Sequence, residues 1–487
     1  MREYSPRKRT ALVFAGSGTS GAYHAGALRA LDESGVRIDL VVGSGIGTVA
    51  AAYAAVMGGP KLYGPRGFWD GVRRSSFYRV RPTVRLALGL LSVSFAIFAL
   101  PLVAGLVLGL LFPLLLILER VLPGSVSRLL ARLWVAPDAL SGPYLGAQAV
   151  PVFALALLAM VALAFAYVRG RRRVAESFES LLDARPALAR LRRGLWEIAR
   201  GAALEGFPAS DRELGRRFVA LLADNLGQPG FRELVLRAAD LDTGGVLRFV
   251  LLRDGAGATS DAPPRRRPGA LADAVDLRTP GLDGLFFDAV ATGLLPPLAL
   301  PLRRVSFPKG GLHPGETHRL TDATLVPGAG IAEALAAGAE QIVLVTGAPE
   351  THGPLARRRG PTARIDATMR ALERQALREL TEVERLNRMV GTMGHWAEGR
   401  RAWQDPATGR TYREVDVWAI RPARRVPGPM ELDGTREPAT EVLQTTDDLL
   451  QQGYHDAQQQ FVEPVVGASP LPEREEGTLG ETQPVGL

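Results

Sequence analysis

The stretch Asp39-Leu40-Val41-Val42-Gly43-Ser44-Gly45-Ile46-Gly47 decides how the rest of this chain is read. An apolar run enters a glycine-rich turn, and a small-residue segment from Thr48 to Met57 follows. This is the strand–turn–helix context in which Gly-x-Ser-x-Gly holds a serine on a strained elbow. Gly43 and Gly47 occupy the two outer glycine positions of that pattern, but the central position is Gly45, which has no side chain. Ser44 is the adjacent hydroxyl. Its neighbours at two residues' distance are Val42 and Ile46, both β-branched and stiff, in a turn that admits only tiny residues.

Outward from the elbow the chain alternates. Thr10 to Ala15 reads as a buried strand, Ser20 to Ser34 as a helix ended by Gly35, Ile38 to Val42 as a strand and Gly45 to Met57 as a helix. That is the βαβα opening of a mostly parallel sheet with helices on its faces. Later elements are helices over about 174–200 and 212–226, the second opened by a capping box at Ser210 and Glu213. Strands are expected at Val246 to Leu252, Thr317 to Thr321 and Gln341 to Thr346, with helices at Asp283 to Thr292 and Gly328 to Ala337. Arg253 to Pro268 reads as a surface loop. Beyond 350 come a long charged helix from Thr362 to about Met389, a strand over Tyr412 to Arg421, and a helix over Glu441 to Val462.

Two apolar blocks interrupt the alternation. Leu86 to Leu118 carries no charge, and neither does Ala139 to Val168, whose most apolar part is Val150 to Val168. A bilayer core takes about 20 apolar residues of helix, so each block is expected to hold a span. Arg73, Arg74, Arg79, Arg81 and Arg85 precede the first block, and Arg169, Arg171, Arg172 and Arg173 follow the second. Positive flanks stay on the cytoplasmic side, so both ends are expected there and the number of crossings is even.

Composition removes several alternatives. There is no cysteine, which excludes disulfides and thiolate chemistry. The net charge of +8 comes from dispersed arginines mixed with acids, and lysine occurs only at 8, 61 and 309. No nucleic-acid footprint is expected from that pattern. The six histidines show no metal-ligand spacing, so no metal site is expected. The N-terminus has no apolar signal region.

Two further motifs bear on chemistry. Gly16-Ser17-Gly18-Thr19-Ser20-Gly21 lies between a strand and a helix. It matches a dinucleotide fingerprint, but no acid ends the second strand, where Gly43 and Ser44 stand, so no nucleotide is expected. It reads equally as an oxyanion loop or as a tight turn. Asp322 follows the strand Thr317 to Thr321; it reads either as a base that activates a serine directly or as a turn residue capping local N–H groups.

In order and spacing, these three features resemble the patatin-like phospholipase family. The run from Ala11 to Leu31, with Gly21-Ala-Tyr-His-Ala-Gly26, looks like the family's opening, and Asp322 with Pro327 looks like its aspartate loop. The resemblance covers roughly 10–60 and 200–350. It implies a three-layer α/β sandwich with a mostly parallel central sheet, here interrupted by a transmembrane helical hairpin. It also implies a serine lipid acyl hydrolase working through a Ser–Asp dyad without cofactor. Gly16, Ser17, Gly18 and Gly21 would form the oxyanion loop, Gly43 and Gly47 the elbow, Gly45 the nucleophile position and Asp322 the dyad acid. The departures are Ser17 and Ser20 in the loop, Gly45 at the elbow, and Asp-Ala-Thr in place of Asp-Gly-Gly. The expectation is a catalytically impaired protein of a bacterial inner membrane, multi-pass with its soluble domain cytoplasmic, that binds or acts on membrane acyl lipids. The alternatives are an active hydrolase using Ser44 with Asp322, or a non-catalytic membrane scaffold. The expected divisions are 1–60 and 206–350 for the two halves of the domain and 61–205 for the membrane insert, with spans at about 86–118 and 148–168. A C-terminal extension is expected at 351–464 and a disordered tail at 465–487.

Overall fold

The computed structural model describes residues 3–81, 182–203, 206–253, 269–296, 302–309, 312–349, 361–397, 400–404, 411–423, 426–428, 431–436 and 443–467, with a few isolated positions between 82 and 181. The chain forms two compact units, Met1–Arg79 with Ala184–Leu487, and Val80–Asp183.

The first unit is organised by a nine-stranded sheet. Its strands are β1 (Thr10–Gly16), β2 (Leu40–Gly45), β3 (Glu233–Asp240), β4 (Gly245–Leu251), β5 (Val275–Asp276), β6 (Arg303–Ser306), β7 (Thr317–Thr321), β8 (Gln341–Thr346) and β9 (Asp416–Ile420). The order is β9-β8-β1-β2-β3-β4-β5, with β7 bridging β3 and β6. The centre is parallel: β9 on β8, β8 on β1, β1 on β2 and β2 on β3. β4, β6 and β7 are joined to it by antiparallel pairs. Central strands covered on both sides read as continuous apolar runs, and β1, β2 and β8 are fully buried.

Helices cover both faces, giving three layers. On one face Val13, Val42 and Leu344 pack under Ile331 and Ala334 of α6 (Ile331–Ala336) and Leu380 and Val383 of α7 (Pro361–Met393). The other carries α1 (Ser20–Glu33) and α2 (Gly47–Ala54). Helices α3 (Arg185–Ala199), α4 (Asp211–Asn225) and α5 (Phe286–Ala291) extend this layer, with α2 against α5, α5 against α4 and α4 against α3. The last α-helix among the described residues, α8 (Thr446–Ala457), lies on α1. Their backbones touch: a methyl at Gly26 would overlap the Leu450 carbonyl oxygen, and one at Gly453 the Tyr23 carbonyl oxygen.

Several boundaries differ from the sequence expectation. β2 runs on from Leu40 to Gly45, and α2 starts at Gly47 instead of Gly45. The reciprocal half of the α4 capping box shifts by one: Ser210 accepts from the Glu213 amide at 3.2 Å, but the Glu213 carboxylate accepts from Ala209 at 3.0 Å. The strand expected over Tyr412 to Arg421 is two, Thr411–Arg413 in a separate three-stranded sheet and β9 in the main one.

No helix among the described residues is long and apolar enough to cross a membrane. The spans expected at 86–118 and 148–168 lie outside the described residues, apart from isolated positions in the first. Outside them too are most of the loop at 253–268 and residues 468–487 of the tail. Within the second unit, the short strand ending at Val80 pairs with Leu182–Asp183.

Candidate active site

The site lies where β1 and β2 end. β1 is followed by β2 on one side, while its other neighbour β8 is followed by β9 further out, so the connections run in opposite directions, and such switch points form a crevice beyond the strand ends in α/β sheets. β1 and β2 remain in register to the last residue, Ala15 beside Ser44 and Gly16 beside Gly45. Side chains alternate across a strand, so Ser44 and position 45 face opposite sides of the sheet.

Gly45 has φ +63°, the left-handed conformation of a strained elbow. A Cβ there would lie 2.7 Å from Oδ1 of Asp322 and would clash with the carbonyl oxygen of Gly16. Position 45 therefore does aim at Asp322, along a path the Gly16 carbonyl obstructs. That carbonyl also accepts the Ile46 N–H at 2.9 Å. The amide after the nucleophile position, half of an oxyanion hole in an elbow of this type, is thus already bonded. Gly43 and Gly47 are required sterically: a Cβ on Gly43 would come within 2.6 Å of Thr48 Cα, and one on Gly47 would strike the Phe14 carbonyl.

Asp322 is fully buried at the end of β7. Its Oδ1 accepts the Thr324 amide at 2.8 Å, capping the turn Ala323–Leu325, while Oδ2 has no hydrogen-bond partner. Burial pushes its carboxyl up to about 8, with the charge of Glu373 adding to the rise and the Thr324 bonds opposing it. At neutral pH this is mostly an uncharged acid. Of the two sequence readings of Asp322, the capping bond is present; the carboxyl also faces position 45.

Ser44 is buried and held elsewhere. Its hydroxyl accepts from Nη1 of Arg237 at 3.2 Å, across the register pair that joins β2 to β3. Arg237 is 2% exposed and also donates to the carbonyls of Gly328 and Pro327. Its Nε lies 3.1 Å from Oε1 of Glu333, which takes a second bond from Arg248 at 2.7 Å. Burial raises the Glu333 carboxyl, but the two arginines outweigh it and hold the group below its usual range.

The glycine-rich loop carries a carboxylate of the same chain. Glu373 on α7 accepts from the Ser17 amide at 2.8 Å and the Ser17 hydroxyl at 2.7 Å, with the Ser20 hydroxyl at 3.5 Å. Burial raises the Glu373 carboxyl, against those bonds. Two turns further along α7, Glu379 accepts the amides of Ala329, Gly330 and Ile331 at 2.8, 3.0 and 3.0 Å. The cavity between Ala15, Gly16, Ser44, Thr324, Leu372 and Glu373 has a volume of about 10 Å³. That is one water's worth, against roughly 300–1,000 Å³ for a small-molecule pocket.

The structure thus brings Gly45, Asp322 and the loop Gly16–Gly21 together, and turns Ser44 away. Sequence reasoning missed Arg237 and Glu373. A lone arginine inside the apolar run Leu234 to Ala239 was a usable signal for the first; Glu373 is one acid among many on a charged helix, and nothing marks it.

Residues 12–99 match the family model for Patatin-like phospholipase. That segment is patatin-like. No curated protein matches it. Among solved structures it is similar to VipD from Legionella pneumophila, at 14% identity over 93% of this chain and 67% of that one, with a TM-score of 0.31. So slight a likeness adds nothing on activity. The matched segment includes the glycine-rich loop and the elbow.

Proposed function

We propose that this protein is a membrane-anchored patatin-like protein whose hydrolytic centre is silent, and that it acts by binding, with membrane acyl lipid as its partner. The observation that carries the reading is position 45. The backbone is set as an elbow and directed at Asp322, yet no side chain is there to attack. Three features support it. The Ile46 amide is spent on Gly16, the Ser17 amide on Glu373, and Ser44 is bound by Arg237 on the opposite face. Loss of a nucleophile leaves at best the contribution of binding and oxyanion stabilisation.

Anchoring is supported by the charge-free block Leu86 to Leu118. Within it, Val107, Leu110, Leu111 and Ile117 are helical positions 45–67% exposed, an arrangement suited to lipid. The pairing of the strand ending at Val80 with Leu182–Asp183 joins the two ends of the insert, as an even number of crossings demands. With the arginine flanks, this favours a bacterial inner membrane with the patatin-like unit on the cytoplasmic side.

The test uses full-length protein in detergent micelles, exposed to a fluorophosphonate probe and a short-chain ester. The expected result is no labelling and no hydrolysis above a heat-treated control. A covalent adduct on Ser44, Ser17 or Ser20 overturns the silent-centre reading. Anchoring is tested separately by alkaline extraction of membranes. The chain is expected in the pellet, and release into the supernatant removes that part.

A further inference from the structure

Further along the edge of β3 that β2 pairs with, where β7 takes over at Ala239 and Asp240, the hairpin β6–β7 gathers three ligand-type side chains. His313, Glu316 and His318 each present one ligand atom, all within 4.8 Å of one another. Nε2 of His318 is 3.0 Å from Oε2 of Glu316, and Nδ1 of His313 is 3.4 Å from the same oxygen. Tetrahedral zinc with bonds of 2.0–2.1 Å holds its ligands about 3.3 Å apart, so both separations already fit the edge of such a site.

The surroundings are built to match. The other ring nitrogen of His318, Nδ1, is 2.7 Å from Oδ2 of Asp240 at the end of β3. Asp240 is itself fixed by the Asp242 amide at 3.0 Å and the Thr243 hydroxyl at 2.8 Å. A carboxylate that orients the outer nitrogen of a metal-bound histidine sets its tautomer and raises its basicity. The Phe307 ring packs on both imidazoles, at 5.1 Å from His313 and 5.4 Å from His318. His318 is buried while Glu316 is exposed, so a bound ion would keep one face open to solvent. The spacing His-x-x-Glu-x-His has a structural reason: His313 lies in the turn, and Glu316 and His318 sit two residues apart across the start of β7, on one side of the strand.

We infer that His313, Glu316 and His318 form a zinc site with Asp240 as its positioning residue and a fourth position left to water. Three protein ligands of this kind satisfy zinc and leave it open. The site is independent of the elbow and of the reading given above.

The experiment takes the full-length protein, free of any histidine tag and stripped with chelator, and titrates it with Zn²⁺ against a chromogenic competitor. The expected result is one equivalent bound in a saturable phase. His313→Ala and Glu316→Gln, both at accessible positions, should weaken it at least tenfold, and Asp240→Asn by roughly 10- to 100-fold. Co²⁺ should give the intense visible band of four-coordinate nitrogen–oxygen ligation in the unmodified chain, lost in His313→Ala. Zinc should also raise the melting temperature of the unmodified chain and not of His313→Ala. Absence of a one-equivalent phase overturns the proposal, leaving His318 as a side chain hydrogen-bonded between two carboxylates. So does uptake unchanged in His313→Ala and Glu316→Gln, which would assign the metal to other histidines. Far-UV circular dichroism of each variant shows that the fold is kept.

Discussion

The carboxylate of Glu373 rests on the amide and hydroxyl of Ser17, at 2.8 and 2.7 Å. A glycine-rich loop ahead of a helix is suited to meet negative charge as it develops. Here a residue more than three hundred positions away supplies the acceptor permanently, and with Glu379 it fastens α7 across the strand ends.

Glu373→Ala should leave the buried Ser17 amide without an acceptor, a loss of about 1–3 kcal/mol. It should also remove a negative charge that raises the Asp322 carboxyl. Denaturant unfolding measures the first, and the pH dependence of stability the second. The stability loss between pH 4 and 8 should level off at a lower pH than in the unmodified chain.

Asp322 makes the protein lose stability with rising pH. Its carboxyl titrates near 8 when folded, against 3.8 when free. Below the free value both states are protonated and nothing is lost. Between the two values only the folded state keeps its proton, so stability falls by about 1.4 kcal/mol per pH unit. The full change is on the order of 6 kcal/mol and is complete above the folded value. Asp322→Asn stays neutral and should lose less stability over this range, equal to the parent near pH 4 and clearly more stable above about pH 8. Melting curves across pH would show it.

Gly45→Ser should not restore hydrolysis by itself. The new Cβ would clash with the Gly16 carbonyl, and a serine at φ +63° carries strain of about 1–3 kcal/mol. A lower melting temperature with no ester turnover is the expected pair of results. Turnover without loss of stability would mean the Gly16 carbonyl yields readily.

Arg237→Ala should be among the most damaging single changes, costing about 3–5 kcal/mol, because it strips one partner from a buried ion pair with Glu333. Ser44→Ala removes only one acceptor from that arginine and should cost about 1 kcal/mol. Chemical denaturation of the two variants separates them.

β1, α1, β2 and β8 were legible because buried parallel strands are short apolar runs punctuated by glycine. β3, though central, was not read as a strand. Glu233, Arg237 and Asp240 interrupt its pattern, and each is buried against a partner that only the fold supplies: Arg9, Glu333 and His318. The single strand expected over Tyr412 to Arg421 breaks at Val415, whose backbone is clamped by Asn387 of α7 through bonds of 2.7 and 3.0 Å. At the site, motif order located Gly45, Asp322 and the loop. The protonation of Asp322 was not readable, since burial by remote segments sets it. Nor was the grouping of His313, Glu316 and His318 with Asp240, which is created by the pairing of β7 with β3.

The contact between Gly26 and Leu450, and between Gly453 and Tyr23, places the final helix directly on the first. During synthesis α1 emerges early, and its small-residue stripe stays bare until 446–457 has cleared the ribosome. The unit therefore reaches its native packing only after residues 446–457 have been made, and a nascent chain halted before that point would be a natural client for chaperones that hold exposed apolar helices.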